Sequence, residues 1–152
     1  MLAVALLSGN LAGGSASART TNWLLTSHPT CELSRIYRDG PVLTLRRQGA
    51  SASMTIWNPG WARSLPRGKV LQVNLHYGGG GFGHPRDATA TKIHRKGGQV
   101  GLAFALDKDN VLTFREMNGV KLVLDGNNDL TGWLGLEGSA KAYRNLVLCR
   151  EG

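Results

Sequence analysis

The chain has few acidic side chains, few aromatic residues and only two cysteines, and each shortage removes a class of explanation. Asp and Glu together number 10, against 18 Lys and Arg, and they fall mostly in turns or helix ends, which gives no pair of carboxylates for glycoside chemistry. The two cysteines form no C-x-x-C, so neither a dithiol redox centre nor a zinc knuckle is expected. The histidines at 28, 76, 84 and 94 match no zinc spacing. No G-x-S-x-G elbow is present, and the glycine run does not enter a helix through a Lys-Ser/Thr pair. Aromatics make up 7% of the residues and show no base-stacking signature, so nucleic acid is not an expected partner. The residues nominate no catalytic group, no metal and no cofactor.

Long apolar stretches are also missing. The opening Met-Leu-Ala-Val-Ala-Leu-Leu is far shorter than the ~20 residues needed to cross a bilayer, so no transmembrane segment is expected. It runs through small residues to Ser15-Ala16-Ser17-Ala18, an A-x-A-type cleavage site, although a basic n-region is lacking. Residues 1–18 therefore read as a signal peptide, with an ordinary apolar arm as the alternative, and residues 19–152 as one β-rich domain. The expected location is periplasmic or secreted. In an oxidising compartment Cys31 and Cys149, near the two ends of that domain, are expected to be bridged.

What the chain does have is positive charge and alternation. The formal net charge is +8, and residues 35–96 alone carry +9. Arg46, Arg47, Lys92, Arg95 and Lys96 would form a basic face if their strands are neighbours. Such a face suits an anionic envelope component or a protein partner. Trp57 and Trp61 bracket Asn58-Pro59-Gly60 and are the candidate aromatic platform beside it.

Period-two alternation predicts strands over residues 69–77 and 100–106, with shorter candidates at 41–47, 53–57, 89–94, 119–125 and 130–136. The small residues Gly101, Ala103 and Ala105 on one face of the second strand imply that something packs closely over it. Asn58-Pro59-Gly60, Gly97-Gly98 and Asp125-Gly126-Asn127-Asn128 supply turns. Helical spacing appears over residues 107–117 and 139–149, the second capped by Ser139. The fold class is mainly β: an antiparallel sandwich or partly open barrel, with one C-terminal helix and a shorter one near 107–117. The run from Gly78 to Gly83 reads as a surface loop.

The hairpin Gly119-Val120-Lys121-Leu122-Val123-Leu124, then Leu134-Gly135-Leu136-Glu137-Gly138-Ser139-Ala140-Lys141-Ala142 and Leu146-Val147-Leu148-Cys149, resembles the ending of small proteobacterial exported proteins such as the invasion-associated locus B family. The resemblance covers about a quarter of the chain. It implies an all-β domain over a C-terminal helix, and an envelope binding or structural role; with an export signal, a +9 segment and no catalytic constellation, a non-enzymatic module is the leading reading. Two other readings stand beside it: an envelope-acting hydrolase using His76 or His84 as base beside residues 78–83, and an inhibitor or immunity-type protein.

Overall fold

Among the described residues, ten antiparallel strands realise the alternation. The computed structural model describes residues 23–151 apart from 39, 80, 81, 96, 126 and 127. The leader expectation for residues 1–18 and the candidate Lys96 lie outside the described residues. In chain order the strands are β1 (Leu24–Thr26), β2 (Glu32–Ile36), β3 (Val42–Gln48), β4 (Ser51–Asn58), β5 (Val70–Gly79), β6 (Phe82–Arg95), β7 (Gln99–Leu106), β8 (Gly119–Leu124), β9 (Asn128–Asp129) and β10 (Leu134–Gly135). They form one sheet in the order β1-β2-β3-β4-β7-β6-β5-β8-β10, with β9 pairing β8. Three helices accompany it: α1 (Trp61–Ser64), α2 (Lys108–Glu116) and α3 (Ser139–Leu148).

Side chains alternate across the sheet as period two requires. Leu43 and Leu45, Met54 and Ile56, Leu75 and Tyr77, Leu102 and Phe104, and Leu122 are all buried on the inner face. Helices α2 and α3 add Val111, Phe114, Ala142, Tyr143 and Leu146 to that core. The mainly β fold with a C-terminal helix is thus as expected.

Several local expectations change. The expected surface loop gives way to strand at its described residues: the β5–β6 ladder continues through Gly78↔Gly83 and Gly79↔Phe82, and β6 starts at Phe82 instead of residue 89. Pro85 is tolerated there because β7 pairs with β6 only from Ala90 onward, leaving that stretch of β6 without a ladder on its other side. Asn58-Pro59-Gly60 leads into α1, not into a strand. The expected strand over 130–136 shrinks to β10, and the two-residue β9 lies just before that range. Gly138, at φ 78°, occupies the cap position of α3 in place of Ser139. The Ser139 hydroxyl instead donates to the carbonyl of Phe114 at 3.0 Å, satisfying one of the orphan carbonyls at the end of α2.

Among the described residues no ladder joins the two ends of the sheet, β1 and β10. Side chains span the gap. Arg35 on β2 donates from Nη1 to the main-chain oxygen of Glu137 and from Nη2 to its carboxylate, both at 3.0 Å. The same Glu137 oxygen accepts from Trp23 Nε1 at 3.0 Å, and Tyr37 donates its hydroxyl to the Gly135 carbonyl at 2.8 Å. The guanidinium lies 5.5 Å from the Trp23 ring centroid and 5.4 Å from that of Tyr37. Burial pushes the Tyr37 phenol above its ordinary range, which keeps it protonated as a donor. A disulfide reinforces the seam. Cys31, just before β2, is bonded to Cys149, just after α3, with Cα atoms 6.1 Å apart and 118 residues between them in sequence. Closing a loop of that length constrains the unfolded chain by roughly 4–5 kcal/mol on the entropy model.

Arg35→Ala should destabilise the protein by about 2–3 kcal/mol in urea unfolding, because it removes a buried guanidinium that bonds a main-chain oxygen and a carboxylate across the seam and packs on two aromatic rings. Glu137→Gln should cost under about 1 kcal/mol, since the main-chain bond survives and the Glu137 side chain is largely exposed. Equal costs for the two would refute the main-chain bond as the dominant link.

Candidate functional site

On β3, β4 and β6 the residues between the core positions face outward. Register sets them side by side: Thr44↔Thr55 and Arg46↔Ser53 across β3–β4, and Trp57↔Gly101 and Thr55↔Ala103 across β4–β7. On the other side of β7, Gly101 opposes Ile93 and Gln99 opposes Arg95. On this face β7 presents Gln99 and then only the small Gly101, Ala103 and Ala105. A concavity of about 320 Å³ on the same face is lined by Glu32 of β2, Thr44 and Arg46 of β3, Ser53, Thr55 and Trp57 of β4, and Ile93 and Arg95 of β6.

The expectation that something packs closely over the small face of β7 is met by Trp57. A Cβ placed on Gly101 would come within 2.7 Å of Trp57 Cε3, so the indole lies directly on that glycine. Arg95 stacks over the same ring, its guanidinium carbon 4.3 Å from the centroid, a cation–π contact, and its Nε donates to Gln99 Oε1. At the other end Arg46 donates from Nε to Glu32 Oε2 at 2.7 Å. That bond uses only one edge of an exposed guanidinium. The groove therefore offers two arginines, three hydroxyls and an aromatic edge, a set suited to holding an anionic or polyhydroxylated group by hydrogen bonds.

The candidates drawn from the sequence separate into groups. Arg46, Arg95 and Trp57 share the groove. Arg47, one residue on, points to the opposite face and donates from Nη1 to the Val147 carbonyl at 3.3 Å, beside the end of α3. Lys92 is half-buried and donates to the Pro66 carbonyl at 3.2 Å. Trp61 is only 3% exposed and belongs to the core, its Nε1 donating to the Leu130 carbonyl at 3.4 Å, so it offers no exposed platform. His76 stands on β5 in register with Pro85 and Lys121, and no histidine lines the groove. His84 lies in β6, its side chain outside the described set. Among the described residues, no three His, Cys, Asp or Glu side chains gather as a metal site. Glu32, Thr44, Ser53, Thr55 and Ile93 were not singled out beforehand. The signal that could have found them is the polar alternation of β3 and β4 set against the small residues of β7.

With this geometry in view, one solved structure is informative. The crystal structure of invasion associated protein B from Bartonella henselae matches 83% of this chain and 90% of its own, with a TM-score of 0.57 and 14% sequence identity. The two share a fold. At that identity the likeness speaks to architecture alone, and it reaches well beyond the C-terminal quarter that carried the resemblance. No family model and no curated protein matches the chain.

Gly101→Ala should force the Trp57 ring off β7 and cost roughly 1–3 kcal/mol, the usual range for overpacking. Urea unfolding measures the loss. In the double variant Gly101→Ala/Trp57→Leu the two costs should not add, and strict additivity would mean that the ring and the glycine do not touch.

Proposed function

We propose that this protein is an exported, non-enzymatic envelope module that binds an anionic component through the outer-face groove lined by Arg46, Trp57 and Arg95. The observation carrying this reading is the convergence of Arg46, Arg95 and Trp57, with three hydroxyls, in one concavity on an otherwise regular sheet face. Two further features support the location. The Cys31–Cys149 disulfide suits an oxidising compartment, and no helix among the described residues is long and apolar enough to cross a membrane. A guanidinium pair held by Glu32 and Gln99 is pre-oriented, which lowers the ordering cost of gripping phosphate, sulfate or carboxylate.

Binding to heparin and to lipopolysaccharide tests the site. R46S/R95S should weaken both about ten-fold or more and lower the salt needed for elution, as expected when two charge-assisted contacts are lost. K141S/R150S removes the same charge elsewhere and should have a much smaller effect. If the two double variants lose binding equally, bulk charge is responsible and the groove reading falls.

A further inference from the structure

The end of the domain formed by α2 and α3 carries a second unusual surface. Among the described residues seven large apolar side chains are exposed, and three of them, Leu112, Val147 and Leu148, lie together there at 48%, 41% and 77% exposure. Val147 belongs to the apolar stripe of α3 that should be buried, yet it remains open. It lines two adjoining depressions of about 300 and 320 Å³, the first shared with Leu112 and the second with Leu148; Arg115 and Tyr143 line both. The rim is basic. Arg47, Lys108, Arg115 and Arg144 surround these leucines and valine, with Asp109 the one acidic side chain lining the two depressions.

We propose that this face docks on an anionic lipid leaflet, with Leu112, Val147 and Leu148 entering the headgroup region and Arg47, Arg115 and Arg144 meeting the phosphates. The composition favours lipid over a protein partner. A stable protein interface needs roughly 800 Å² per side and a core depleted of charge, whereas three apolar side chains inside a ring of cations offer neither. A leaflet demands no shape complementarity; a few inserted apolar groups and a basic rim are the recognised pattern for surface binding. The platform is also rigid. The disulfide and the Arg47 bond to the Val147 carbonyl hold the end of α3, so insertion costs little ordering. The face lies on the helix-covered side of the sheet, away from the groove on the outer face. It can stand or fall apart from that site.

Co-sedimentation with vesicles decides the matter. The wild-type protein should pellet with phosphatidylglycerol/phosphatidylcholine vesicles, less so as salt is raised, and not with phosphatidylcholine alone. L112S/L148S, both at exposed positions, should bind about ten-fold less while keeping the wild-type circular dichroism and melting temperature. R63S/R67S, which removes two exposed positive charges away from both surfaces, should pellet like the wild type. In L148W, tryptophan emission should shift to the blue on adding the anionic vesicles. Absence of vesicle binding, binding indifferent to L112S/L148S, or a concentration-dependent dimer that L148S dissolves would each overturn the proposal.

Discussion

Arg35 is the side chain on which the closure of this sheet depends. A ten-stranded antiparallel sheet twists until its ends approach each other, and unpaired edges are a liability that has to be managed. Here the final pairing is made without a ladder. One buried guanidinium, flanked by the Trp23 and Tyr37 rings, takes both the main-chain oxygen and the carboxylate of Glu137. That bond fixes the entry to α3, because Glu137 leads directly through Gly138 into the helix. With α3 in place, Ser139 can reach back to the end of α2, and Phe114 can meet Trp23 edge-on at 5.6 Å.

The two faces of the sheet then acquire different characters for one reason. The inner face is filled by large aliphatic and aromatic side chains and needs the helices to cover it. On the outer face the small residues of β7 let Trp57 lie against Gly101 and reach Arg95, and the concavity beside that ring extends to Arg46 and Glu32.

Much of this was legible in the sequence, and the exceptions have physical causes. Strong alternation at β5 and β7 made those strands clear, and Gly97-Gly98, with φ 90° and 74°, makes the hairpin turn its residues favour. The disulfide followed from the position and isolation of two cysteines. The N-terminal half of β6 was hidden because glycines and a proline speak against a strand, and only its long-range ladder to β5 overrides them. Ser139 sits where a cap belongs, but the left-handed turn at Gly138 turns it inward. The groove was half legible: Arg46, Arg95 and Trp57 were visible as residue types, whereas their gathering depends on strand order β4-β7-β6, which no local pattern encodes. Arg46 and Arg47 show the same limit, since adjacent residues on a strand must serve opposite faces.

The bridge between Cys31 and Cys149 has a mechanical consequence. Tension applied to the C-terminal end of α3 does not peel the helix away turn by turn; it passes through the sulfur atoms into the start of β2. From there it is shared between β1 and β3, whose ladders flank β2 on both sides. A pull at one end of the chain thus becomes a load distributed across the sheet, and the last helix yields only when the strands beneath it do.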